Sequence, residues 1–100
     1  MSTALANGPR IAVFPGSFDP VTTGHVSIVE RALPLFDRLV VAIGVNNSKR
    51  YMFPLEQRLD WLRKSFQGEP NVEAISFEGL TADLCLRLGA RYIVRGLRNS

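Results

Sequence analysis

The chemistry of this chain gathers around one stretch, Val13 to His25, VFPGSFDPVTTGH. Gly16-Ser17-Phe18-Asp19-Pro20 lets the backbone approach a ligand closely and follows that approach with a hydroxyl. Thr22-Thr23-Gly24-His25 then sets the only histidine of the chain beside a glycine, where an apolar-periodic segment begins. An imidazole at a helix N-terminus, among orphan N–H groups and at the positive end of the helix dipole, suits an anion, above all a phosphate. Two basic clusters lie further along: Lys49-Arg50, and Arg95 with Arg98 in Arg95-Gly96-Leu97-Arg98. Cations concentrated at such points suit a small polyanionic ligand better than a duplex. A plainer reading competes with this: a strand, a loop, and a helix whose lone histidine only caps it.

These residues need elements to place them. Arg10 to Phe14 reads as a buried strand that Pro15-Gly16 ends. Val26, Ile28, Val29, Ala32 and Leu33 recur at helical spacing, so a helix is predicted from His25 to Phe36, bending or ending early at Pro34. Leu39 to Val45 is a continuous apolar run, the mark of a strand covered on both faces. It breaks into Asn46-Asn47-Ser48-Lys49-Arg50 at its carboxyl end, and Met52 and Phe53 read as apolar cover. Pro54 suits a first helical position. Leu55, Leu59, Leu62 and Phe66 predict an amphipathic helix to Gln67, closed by the turn Gly68-Glu69-Pro70-Asn71. Val72 to Phe77 is a third strand and Leu80 to Leu88 a third helix, where Thr81 reads as a cap and Cys85 as a packing residue. Gly89 ends that helix, and Arg91 to Val94 is a fourth strand. Alternating strands and helices with short connections imply an α/β fold, a doubly wound parallel sheet. The three chemistry-bearing loops then share its carboxyl edge, where such sheets bind ligands.

Composition narrows the classes. One hundred residues suit one small domain. Residues 1–9 read as a flexible tail, with the domain over 10–100. The formal charge is +3, but the aromatic residues do not interleave with the basic ones as a stacking platform would need, so no nucleic-acid partner is expected. Arg58 belongs with the scattered surface charges in this reading. The apolar runs are short, so no membrane span is expected. The first residues lack a secretion signal, and a single cysteine suits a reducing cytoplasm. One histidine and one cysteine provide no metal-ligand cluster, and the Gly-rich motifs of dinucleotide and P-loop sites are missing.

The paired motifs PGSFDP and T-x-G-H, with Ser48-Lys49 after the second strand and Arg95-Gly96-Leu97-Arg98 after the fourth, resemble the phosphopantetheine adenylyltransferases of the nucleotidyltransferase superfamily. The resemblance runs from Arg10 to Arg98. It implies a Rossmann-like nucleotidyltransferase fold and transfer of adenylyl from ATP to 4′-phosphopantetheine, giving dephospho-coenzyme A and pyrophosphate, with magnesium and without a covalent intermediate. It also implies that His25 contacts the α-phosphate, that Ser17 touches both substrates, and that the Phe18 backbone faces ATP. Lys49 would hold the attacking phosphate, Thr81 would meet the pantetheine arm, and Arg95 would bind the acceptor. Gly96, Leu97 and Arg98 would line the ATP site. Family members are longer, with further ATP-gripping residues and hexamer surfaces in their second half. The chain is therefore expected to be an N-terminal portion, stopping after the fourth strand, of a cytoplasmic homohexamer. Rival expectations are a cytidylyltransferase, a nicotinate mononucleotide adenylyltransferase, or a non-catalytic nucleotide-binding fragment.

Overall fold

A computed structural model describes residues 8–96. Most of the expected tail over 1–9, together with Leu97 and Arg98, lies outside the described residues. The elements run β1 (Ile11–Gly16), α1 (Thr23–Ala32), a 3₁₀ turn (Leu33–Leu35), β2 (Arg38–Gly44), α2 (Leu55–Ser65), β3 (Val72–Phe77), α3 (Thr81–Leu88) and β4 (Tyr92–Ile93). All pairings are parallel, in the order β3-β2-β1-β4. The chain thus steps from β1 out to β3 and then returns to the far side of β1, and strand order reverses between β1 and β4.

Alternation along the central strands builds two cores. Ala12 and Phe14 of β1 face the same side as Leu39, Val41 and Ile43 of β2, where Val29 and Ala32 of α1 and Leu62 of α2 cover them. Ile11 and Val13 face the other side with Val40 and Ala42, under Leu84 of α3. Leu39, Val40, Val41, Ala42 and Ile43 are all fully buried, which is why β2 reads as an unbroken apolar run. Helices on both faces make the sheet doubly wound, as expected.

Several boundaries differ from expectation for physical reasons. Strand β1 continues through Pro15 and Gly16, whose partners in β2 are Ala42 and Ile43. In β1 the carbonyls of Ile11 and Val13 accept from the β4 side, so the nitrogen of Pro15 faces that side too. Because β4 pairs only with Ala12 and Val13, the N–H that Pro15 lacks costs no ladder bond. Helix α1 ends at Ala32, not Phe36, since Pro34 sits at the start of the 3₁₀ turn. Pro54 is the N-cap of α2 rather than its first helical residue. Thr81 is the first residue of α3, not its cap; Leu80 holds the cap position without a side-chain hydrogen bond. Strand β4 shrinks to two residues, although the Arg91 and Val94 N–H groups still donate to β1. Gly89 does end α3: at φ +71° its N–H reaches back to the Cys85 and Leu86 carbonyls.

Candidate active site

The reversal of strand order opens a cleft of about 600 Å³ at the carboxyl edge, between β1 and β4. Phe14 and Pro15 supply one wall from β1. Thr22, Gly24, His25 and Ile28 come from the start of α1, and Arg95 and Gly96 from the segment after β4. Three sequence-predicted residues, His25, Arg95 and Gly96, are thereby brought together. No helix among the described residues is long and apolar enough to cross a membrane.

Local chemistry fixes the His25 ring. Thr22 is the N-cap of α1, and its Oγ1 accepts the His25 backbone N–H at 3.3 Å. The His25 side chain answers: its Nδ1 accepts the Thr22 N–H at 2.9 Å. The pair is a capping box, with histidine in the place a glutamate usually takes. The competing reading of His25 as a cap is therefore half right, because Nδ1 does cap. A backbone N–H only donates, so Nδ1 must carry a lone pair and the ring proton must sit on Nε2, turned away from Thr22. Packing holds this orientation. The Phe18 ring meets the imidazole edge-on at 4.8 Å between centroids, and Phe14 lies 6.1 Å away.

Burial lowers the His25 pKa below its ordinary 6.5, since desolvation disfavours the charged form. The bond accepted by Nδ1 acts in the same direction. The sign follows. Above 6.5 the ring is neutral in both folded and unfolded chains and costs nothing; as pH falls from 6.5 through the lower folded value, the unfolded chain takes up the proton first and stability declines. His25 is the sole histidine of these 100 residues, and comparison with the His25→Ala variant assigns its NMR signal. We expect a midpoint below 6.5 and an Nε2–H tautomer in the folded protein. A midpoint at or above 6.5, or an Nδ1–H tautomer, would overturn this account of the ring.

Two glycines leave room. A Cβ on Gly16 would stand 3.0 Å from Phe18 Cε2, so glycine there lets the Phe18 ring pack beneath the strand end. A Cβ on Gly24 would meet nothing closer than Thr22 Oγ1 at 3.5 Å. The protein itself thus does not demand glycine at 24, and the missing Cβ leaves cleft space where a ligand would touch backbone.

The other expected residues among those described lie off this cleft. Ser17 and Phe18 follow β1. Phe18 is buried and holds φ +46°, a left-handed conformation few non-glycine residues adopt. Lys49 is exposed on the loop after β2, with its ammonium 5.7 Å from the Tyr51 ring. Thr81 is half-buried at the start of α3, on the same edge of the sheet. Met52 is 73% exposed, against its expected covering role, while Phe53 does pack, meeting Trp61 at 4.8 Å.

Sequence reasoning missed Arg58 and Asp19. Arg58 is no scattered surface charge. It is 3% exposed and donates to the carbonyls of Ser17 and Phe53. Its signal was present: Leu55, Arg58 and Leu62 fall at i, i+3, i+7, so an arginine occupies the inward stripe of α2. Asp19 accepts the backbone N–H groups of Met52 and Phe53, a long-range pairing that spacing does not reveal. The genuinely scattered charges include Arg38, which pairs with Glu73, and Lys64, 3.0 Å from Asp60.

The chain matches the model of the cytidylyltransferase-like family over residues 13–100. It is 58% identical over 90 residues to the phosphopantetheine adenylyltransferase of Flavobacterium psychrophilum, covering 90% of this chain and 60% of that protein. It is 56% identical over 89 residues to the phosphopantetheine adenylyltransferase of Carboxydothermus hydrogenoformans, covering 89% and 55%. The chain thus spans 55–60% of the length of these relatives. Among solved structures, the NadR protein in complex with NAD and AMP-PNP superposes with a TM-score of 0.65 at 25% identity, over 82% of this chain and 26% of that one. A putative nicotinate-nucleotide adenylyltransferase from Vibrio parahaemolyticus gives 0.66 at 24% identity, over 81% and 50%. These superpositions establish a shared fold.

Proposed function

Since the chain belongs to the cytidylyltransferase-like family, we propose that its protein transfers the adenylyl group of ATP to 4′-phosphopantetheine, giving dephospho-coenzyme A and pyrophosphate. One observation carries the reading: an imidazole, its Nδ1 held by the Thr22 N–H, lines the cleft where strand order reverses. The likeness to phosphopantetheine adenylyltransferases supports the choice of acceptor.

The chemistry asks little covalent work of the protein. An oxygen of the acceptor phosphate is already a nucleophile. It bonds to the α-phosphorus of ATP while the bond to the bridging oxygen breaks, and that electron pair leaves with pyrophosphate. The protein's part is position and charge stabilisation. His25 donates Nε2–H to the α-phosphate as negative charge builds there. Gly24 and the first turn of α1 receive the phosphates at the helix N-terminus, and the Phe18 backbone faces ATP. Gly96 lines the nucleotide side of the cleft, and the resemblance assigns Leu97 and Arg98 to ATP as well. Ser17 touches both substrates. Lys49 holds the acceptor's attacking phosphate, Arg95 binds the acceptor, and Thr81 meets the pantetheine arm.

Magnesium would accompany ATP and neutralise phosphate charge. Among the described residues no three His, Cys, Asp or Glu gather to hold such an ion. The homohexamer and the cytoplasmic location expected from the resemblance belong to the same proposal.

Incubating the full protein with ATP and a panel of acceptors tests the reaction: dephospho-coenzyme A forms from 4′-phosphopantetheine, and nicotinate mononucleotide is left unchanged. The reverse preference would overturn the proposal. Lys49→Ala tests the acceptor end. A charge-assisted contact is worth about 1.5–3 kcal/mol, so titration calorimetry should show acceptor affinity falling by about 10-fold or more with ATP affinity little changed. Equal weakening of both ligands would remove Lys49 from this role.

A further inference from the structure

The two loops proposed to hold the two substrates follow different strands, the Ser17 loop after β1 and the Lys49 loop after β2. Beyond the ladder that ends at Gly16 and Ile43, side chains tie them together. The Asp19 carboxylate reaches from the first loop and accepts the N–H groups of Met52 and, at 2.8 Å, Phe53. Arg58 rises from α2 and holds both loops at once, its Nη1–H donating to the Ser17 carbonyl and its Nε–H to the Phe53 carbonyl, each at 2.9 Å. The same guanidinium lies 4.2 Å from the centroid of the Tyr51 ring, and the Lys49 ammonium lies 5.7 Å from that ring. A continuous run of contacts therefore leads from Ser17 through Arg58 and Tyr51 to Lys49.

Arg58 is an expensive way to fill the space. It is buried, and among the described residues it forms no ion pair. Its charge is compensated by two carbonyls and an aromatic face. Where only stability matters, an apolar residue of similar volume does as well or better at a buried charged position. What an apolar residue lacks is the planar fork that grips two carbonyls in fixed relation while stacking on a ring.

We propose that Arg58 and Asp19 are positioning residues: they lock the Lys49 loop to the Ser17 loop, so that Lys49 grips the acceptor phosphate only while that lock is closed. This rests on the reading of Lys49 given above.

A double-mutant cycle on the full protein tests it, with 4′-phosphopantetheine binding measured by calorimetry and folding followed by circular dichroism. Lysine keeps a charge at position 58 but neither the fork nor the stacking plane. With Arg58 intact, Lys49→Ala should weaken binding by about 10-fold or more. With Arg58→Lys already present, the same change should weaken it by less than about threefold, because coupled residues do not contribute additively. Should Arg58→Lys fail to fold, Asp19→Asn takes its place under the same criteria; it alters a partly exposed side chain and keeps one acceptor oxygen. If Lys49→Ala costs the same factor in both backgrounds, to within about twofold, the lock does not exist and the inference falls while the acceptor reading stands. If Lys49→Ala has no effect with Arg58 intact, the reading of Lys49 falls and takes the inference with it.

Discussion

His25→Ala in the full protein is expected to lower kcat by about 10²–10³ while leaving ATP affinity nearly unchanged. Nδ1 is occupied by the Thr22 N–H, so Nε2 carries the ring's hydrogen. Burial keeps the ring neutral at pH 7 by holding its pKa below 6.5. A neutral donor aimed at charge that grows only in the transition state contributes little to binding the ground state, so its loss falls on kcat. Removing one such donor costs about 3–4 kcal/mol of barrier stabilisation. Alanine also deletes half of the capping box, but the Thr22 Oγ1 still accepts a backbone N–H, and loss of one cap contact costs about 1 kcal/mol. Steady-state kinetics and calorimetric ATP binding on one preparation decide the matter. A kcat within a few-fold of the parent, or a parallel collapse of ATP binding, would reduce His25 to a cap.

The sequence made the strand-loop-helix around Val13 to His25 legible because each local signal there points the same way. A buried run, turn formers and a helical period follow one another without conflict. The two-faced burial of β2 was equally plain, since an unbroken apolar run has few other uses. Spacing failed where long-range contacts decide. Pro15 looked like a strand end because its missing N–H is costly in a paired ladder; that β4 stops at Ile93 and so spares it is a tertiary fact. Arg58 looked like one more surface cation because arginines seldom sit fully buried. Its place depends on the carbonyls of Ser17 and Phe53, which only the folded chain brings near it. The capping role of His25 was readable as a helix-start position, but the choice of Nδ1 as the capping atom, and hence of Nε2 as the donor, depends on how the folded loop turns the Thr22 N–H toward the ring.

Phe18→Ala is expected to lower stability by about 3–5 kcal/mol, the usual cost of emptying a buried aromatic site. Phe18 is 2% exposed. Its ring packs edge-on against Phe14 at 5.2 Å and His25 at 4.8 Å, under the space that Gly16 leaves open. The left-handed backbone at φ +46° does not soften this figure. Alanine resists that conformation much as phenylalanine does, so the strain is common to both proteins and the difference is set by the lost ring. Collapse into the vacated space is also limited, because the loop is pinned from outside by Asp19 and Arg58. Against a total stability of about 5–15 kcal/mol for a small domain, a loss of this size shifts the urea midpoint far enough to measure without ambiguity. The same variant links the core to the chemistry. With the Phe18 ring gone, one wall that orients the imidazole is gone too, and the His25 NMR signal should broaden or move toward that of a solvated ring, with its midpoint rising toward 6.5. A cost below about 1 kcal/mol, outside the range for emptying a buried aromatic site, together with an unchanged His25 titration, would mean that the ring is not held by Phe18 and that Thr22 alone sets its orientation.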